Sequence, residues 1–227
     1  MIPASQIIER LKSLYNPINI AGMRRFGITP AQPLGISVNV LRQIARELPK
    51  NHALAQELWA SGIHEARILA SLVDTPGEVT LEQMEDWVKD FDTWDICDQV
   101  VKNLFSFTPY AVAKAQEWSS RPEEFVKRAG FVLMARLAVL ARKPSRRKKV
   151  IDEAVMASFL PIIAREAVDD RNYVKKSVNW ALRQIGKCNP TLRNQAIETA
   201  RQISRMDSKT ARWVAKDALR ELNKQEP

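Results

Sequence analysis

Glycine is scarce in this chain, seven in 227 residues, while apolar residues recur at three- and four-residue spacing almost from end to end. Sheets joined by tight hairpins consume glycine, because their turns require positive φ. A period between three and four marks helices that bury one face. Together the two features imply an all-α chain, with helices predicted over 4–15, 17–25, 37–48, 51–60, 63–73, 80–89, 93–105, 109–118, 122–141, 147–164, 172–187, 190–204 and 208–222. Prolines and short polar runs punctuate these segments, among them Pro17, Pro49, Gly62, Asp74 to Gly77, Pro109, Pro122, Pro144 and Asn189-Pro190. Several of the prolines fall in a first helical turn, which tolerates the missing N–H. Asp92 followed by Asp95 reads as an N-cap with a first-turn acid.

From about residue 80 the helix starts pair up at spacings of roughly 30 to 40 residues, the range of HEAT-type solenoids. The expected architecture is an α-α superhelix of HEAT-like antiparallel helix pairs with a concave basic face, forming a single domain over residues 1–227. One helix of each pair would line that face, where an extended ligand could lie.

The charge balance points to the ligand. Thirty-five Lys and Arg against 26 Asp and Glu give a formal charge of +9, which favours polyanionic partners. Residues 1–120 carry a net −3 and residues 121–227 a net +12, so the second half holds the basic field. Two cysteines, Cys97 and Cys188, cannot build a disulfide framework or a CxxC zinc site. Two histidines, His52 and His64, argue against a multi-histidine metal site. The first residues are amphipathic and charged, unlike a signal peptide, and no apolar run is long enough to span a membrane. Neither a GxxxxGK[ST] nor a GxGxxG loop is present. These observations favour a cytoplasmic protein without metal, cofactor or membrane.

Three segments carry chemistry. In the helix from Asn172 to Lys187, Val174, Val178, Ala181 and Ile185 form one narrow apolar stripe. Trp180 faces away from it with Tyr173, Lys176, Arg183 and Lys187. Such a face either packs on a neighbouring repeat or meets nucleic acid, with cations on phosphates and an aromatic plane on a sugar or base. In the segment from Phe91 to Phe105, Trp94 and Asp98 lie four apart and share a face, on the flank of a core stripe of Ile96, Cys97, Val100, Val101 and Leu104. Asp98 could simply pair with Lys102. It lies beyond the first turn, so capping does not explain it. The segment from Phe125 to Leu140 is apolar nearly all round after residue 128 and should be buried. Arg128 and Arg136 then need partners, either a carboxylate or a phosphate. The run from Arg142 to Lys149 holds six basic residues in eight, either a solvated loop, a localisation signal or a backbone clamp.

These helices resemble the AlkD family of bacterial DNA alkylation repair glycosylases, built from HEAT-like repeats. The likeness is clearest from Tyr173 to Pro190. Trp94-Asp-Ile-Cys-Asp98 keeps the family's Trp-x-x-x-Asp spacing, and Lys127-Arg128 before an apolar run matches its arginine helix. Glu57-Leu-Trp59 and Glu65-Ala-Arg67 agree more loosely. The likeness spans roughly residues 17–220. It implies that Asp98 is the catalytic carboxylate, that Trp94 and Trp180 lie against the lesion's sugar, and that Arg128 stands beside them. Tyr173, Lys176, Arg183 and Lys187, with Arg146, Arg147, Lys148 and Lys149, would contact the DNA backbone. Thr93 and Phe125 stand where some members have Trp, which bears on substrate range.

The resemblance implies a monofunctional glycosylase that removes cationic N3- or N7-alkylated purines from double-stranded DNA without flipping the base. It would act as a monomer among the bacterial nucleoid's DNA. Two other functions fit the residues: a non-catalytic DNA-binding solenoid, and a HEAT-type adaptor whose basic surface meets an acidic protein.

Overall fold

The computed structural model describes residues 2–142 and 152–225. Among the described residues there are thirteen α-helices and no strand. They are α1 (Ala4–Ser13), α2 (Pro17–Arg25), α3 (Val38–Glu47), α4 (His52–Ala60), α5 (His64–Val73), α6 (Leu81–Lys89), α7 (Trp94–Asn103), α8 (Ala111–Trp118), α9 (Glu124–Arg142), α10 (Glu153–Glu166), α11 (Asn172–Gly186), α12 (Pro190–Ser204) and α13 (Lys209–Leu222). Each answers to a predicted helix. The all-α fold is thus as the periodicity implied, and the differences lie at the ends.

Most of those differences are caps. Ser37, Asn51, Thr80 and Ser208 have extended backbone and accept a hydrogen bond from the N–H three residues on. They precede the helices that were expected to include them, and each cap is worth about 1 kcal/mol. Pro17 and Pro190 occupy first-turn positions behind the capping residues Asn16 and Asn189. Two expectations need correction. The helix foreseen from residue 147 begins at Glu153, capped by Asp152, and residues 147–151 lie outside the described residues. Asp92 is not the N-cap of α7: Thr93 holds that place, and Asp92 instead accepts from the Ala31 N–H at 3.4 Å. A 3-10 turn over Phe105–Phe107 follows α7, which therefore ends two residues early.

The chain divides into two compact units, Met1–Pro109 and Tyr110–Pro227. In the first, α4 pairs with α5, α1 packs on both, and α3, α5 and α7 lie side by side. Trp59 and Trp87 stack at 4.0 Å, nearly parallel, and Phe91 and Phe105 extend this aromatic core. Buried Glu65 receives the N–H groups of Leu34, Gly35 and Ile36, and so pins the α2–α3 connection to α5. That connection turns at Gly35 (φ +75°), where a Cβ would stand 2.3 Å from the Asn16 carbonyl oxygen. The loosely matching Glu65 is accordingly a structural brace.

In the second unit the pairs α8/α9, α10/α11 and α12/α13 stack in two layers. One layer contains α8, α10 and α12, the other α9, α11 and α13. Short connections make the paired helices antiparallel. As expected, α9 is buried along most of its length. Gly130 lets it approach α8 closely, since a Cβ there would lie 2.5 Å from the Ser119 nitrogen. No described helix is long and apolar enough to cross a membrane.

Candidate functional site

The residues singled out from sequence divide between the units. In the first, α7 opens with Trp94, whose indole Nε1 donates to the Phe26 carbonyl at 3.0 Å. The end of α2 thereby sets the angle of the ring. Asp98 stands one turn on, half-buried like Trp94, on the flank of a stripe in which Ile96, Cys97, Val100 and Val101 are buried. Between them Asp95 faces the other way. Its Oδ2 lies 2.8 Å from Nε2 of buried His64. Burial alone would lower the His64 pKa, but the hydrogen bond and charge of Asp95, with Glu65 and Asp92 behind it, hold it above the ordinary histidine value. Burial raises Asp95, and the same pair more than reverses this, leaving it below the ordinary carboxylate range. Two carboxylates three residues apart are thus held differently, Asp95 in a buried pair and Asp98 on a half-open face.

In the second unit, Arg128 is buried and its Nη1 donates to the Tyr173 carbonyl at 2.7 Å. This ties α9 to the first turn of α11. Phe125, one turn before Arg128, packs its ring 5.6 Å from that of Tyr173, so the substituted position still carries an aromatic contact. Neighbouring Lys127 is also buried and pairs with Glu166 at 2.5 Å and Asp169 at 2.9 Å. Burial would raise Asp169, yet hydrogen bonds from Arg171 and Lys127 bring it down to about 2. Lys127 is therefore a brace for the α10–α11 turn. Arg136 is half-buried; burial lowers its pKa, and its Nε has no hydrogen-bond partner among the described residues.

On α11 the expected division of faces is present. Val174, Val178, Ala181 and Ile185 are buried, joined by Ser177, Asn179 and Leu182. Trp180 and Tyr173 are half-buried and Lys176 is exposed. Two residues depart from expectation. Arg183 pairs with Glu221 and, at 3.7 Å, with Asp217, and Lys187 pairs with the same Glu221. Their charges are thus paired with α13, where the sequence had suggested open contacts for a DNA backbone. Arg146, Arg147, Lys148 and Lys149 lie outside the described residues.

Two features escaped the sequence reading. His64 is legible there only as a lone imidazole, because its partner Asp95 is brought to it by the packing of α5 on α7. Trp213 on α13 is 43% exposed, with Lys175 Nζ 5.6 Å from its ring centroid. Its signal was present, since Lys209 and Lys216 flank it at the spacing by which Lys176 and Arg183 flank Trp180.

In the second unit, helix pairs stacked in two layers, with Tyr173, Trp180 and cations along α11, have the architecture of a HEAT-like repeat protein. The chain belongs to the DNA alkylation repair enzyme family, whose model matches residues 7–222. No curated protein matches the sequence. Among solved structures, a similar one is described as "a new family of proteins related to the HEAT-like repeat DNA glycosylases with affinity for branched DNA structures". It superposes with a TM-score of 0.76 at 17% identity, over 97% of this chain and 96% of that one. At that identity the likeness establishes the shared HEAT-like fold.

Proposed function

We propose that this protein is a monofunctional DNA glycosylase that hydrolyses the N-glycosidic bond of cationic alkylpurines in duplex DNA. The observation that carries this reading is the Trp94–Asp98 pair on the half-open face of α7, with the indole fixed by the Phe26 carbonyl. Membership of the family supports it. Alkylation at N3 or N7 already makes the base a good leaving group, so no strong general acid is required. As the bond breaks, its electron pair leaves with the base and positive charge develops on the sugar. A carboxylate stabilises that charge and accepts the proton of the water that adds to C1′. Asp98 takes this role, and Trp94, one turn before it, offers a ring face to the deoxyribose cation; on α11, Trp180 offers an aromatic plane to the DNA. Arg128 acts as a positioning residue through the Tyr173 main chain. Lys176 contacts a backbone phosphate.

The test is release of free base from methylated duplex DNA by the wild type and by Asp98→Asn. Loss of a charge-stabilising, proton-accepting group costs roughly a hundred-fold or more in rate. Equal release by both proteins would remove Asp98 from the chemistry. A second reading, DNA-structure binding without base release, draws support from the structural relative described as having affinity for branched DNA. It predicts no release by either protein together with tight binding to DNA.

A further inference from the structure

The Lys176-Ser-Val-Asn-Trp180-Ala-Leu-Arg183 segment of α11 has a counterpart thirty-three residues later, Lys209-Thr-Ala-Arg-Trp213-Val-Ala-Lys216 on α13. Each has Lys, a hydroxyl residue, Trp four after the Lys, and a cation three after the Trp. The interval is one helix pair, so the two helices are neighbours in the same layer. Asn179 Nδ2 donates to the Val214 carbonyl at 3.0 Å and fixes their register. On α13 the residues Ala211, Val214, Ala215, Ala218 and Leu222 are buried. At 100° per residue, Lys209, Trp213 and Lys216 fall together on the opposite side, and all three are exposed.

The copies differ in what their charges do. On α11 the later cation, Arg183, is held by Asp217 and Glu221. On α13, Lys209 and Lys216 have no carboxylate partner among the described residues, and Lys175 stands over the Trp213 ring. An exposed indole among three ammonium groups without carboxylate partners has the composition of a single-strand platform, cations for the backbone and a π-face for a base. Nothing in the fold requires it: Trp213 plugs no core and makes no ring contact with another aromatic among the described residues.

We propose that Trp213, with Lys175, Lys209 and Lys216, is a second nucleotide-binding site, which stacks one unpaired base of a DNA strand next to the duplex held at α11. Neighbouring helix axes lie about 8–10 Å apart, or about three base-pair rises of 3.4 Å along a duplex axis. The site therefore takes a nucleotide a few positions from the one at Trp180. The proposal rests on reading the protein as DNA-binding, and the experiment separates the two.

Binding is measured by fluorescence anisotropy for a blunt duplex, the same duplex with a short oligothymidylate arm, and the same with an arm of abasic sugars. The abasic arm presents the phosphates without a base. The wild type is expected to bind the thymidylate-armed duplex roughly ten-fold tighter than the abasic-armed one, as stacking of a single base implies. Trp213→Ala loses that preference while keeping its affinity for the blunt duplex, and Trp213→Phe keeps part of it. Unchanged thermal unfolding of the exposed-site variants confirms that the fold is intact. Equal wild-type affinity for the two armed duplexes, or an undiminished preference in Trp213→Ala, overturns the platform and leaves duplex binding standing. Failure of the wild type to bind any of the three overturns the DNA reading itself and the platform with it.

Discussion

Asp95 and Asp98 illustrate how neighbouring acids of one helix come to different fates. Asp95 reads in the sequence as a first-turn acid, and it is one. What the sequence does not display is His64, delivered from thirty-one residues away by the packing of α5 on α7. Local spacing announces contacts within a helix, whereas a pair across helices becomes visible only once the fold exists. The pair makes stability depend on pH with a definite sign. The His64 pKa is raised on folding, so its contribution is complete below the unfolded value of 6.5 and is lost as pH rises through the folded value. Asp95 is lowered, so its contribution is present above 3.8 and is lost as pH falls through the folded value. The pair therefore stabilises most between those limits. His64→Gln keeps a hydrogen-bonding side chain without the charge. Its melting temperature should fall furthest below the wild type between pH 3.8 and 6.5 and approach it as pH rises through the folded value. A gap constant across that range would show that shape, not charge, is what His64 supplies.

At the scale of elements, helix identity was legible because local signals agree: few glycines, one buried face per segment, and Asn, Ser or Thr at the starts. Helix ends were less so, since a capping residue carries the same sequence signal whether counted inside or outside its helix, as Ser37 and Ser208 show. How closely two helices approach was not legible at all. Gly22 and Gly130 look alike in sequence, both small residues inside helices. In the fold, a Cβ on Gly130 meets the Ser119 main chain at 2.5 Å, while one on Gly22 meets nothing within 4 Å. The same substitution should therefore act with opposite signs. Gly130→Ala forces α8 and α9 apart, at a cost of about 1–3 kcal/mol, and should lower the melting temperature by several degrees. Gly22→Ala gains helix propensity, up to about 1 kcal/mol, and should leave the melting temperature unchanged or slightly raised. Thermal denaturation followed by circular dichroism checks both, and a matching loss in the two variants would contradict the packing of α8 on α9.

Over the whole molecule, the charge split found in the sequence follows the structural division. Residues 110–120 carry only Lys114 and Glu117, which cancel, so the two compact units keep the net −3 and +12 of the two halves. Net charge, however, does not say which cations are free to meet a polyanion. Arg183 and Lys187 share Glu221, and Lys127 is enclosed by Glu166 and Asp169. Sequence spacing placed Arg183 and Lys187 on the same face as Lys176 and gave no sign of this, because their carboxylates arrive on the next helix pair. Lys176 and Lys209, by contrast, are exposed and pair with no carboxylate among the described residues. The distinction is measurable without any knowledge of the lesion. Each phosphate neutralised by a free cation contributes about −0.9 to the slope of log affinity against log salt on duplex DNA. Lys176→Ala should make that slope shallower by about this amount and leave thermal stability alone. Lys187→Ala should do the reverse, leaving the slope nearly as it is and lowering the melting temperature, since Glu221 loses a partner in a half-buried setting. Anisotropy titrations over a salt series with an unmodified duplex decide the matter. If Lys187 changes the slope as much as Lys176 does, the ion pairs to α13 open when DNA binds, and the second unit's cations act on DNA as one pool regardless of how they are paired in the free protein.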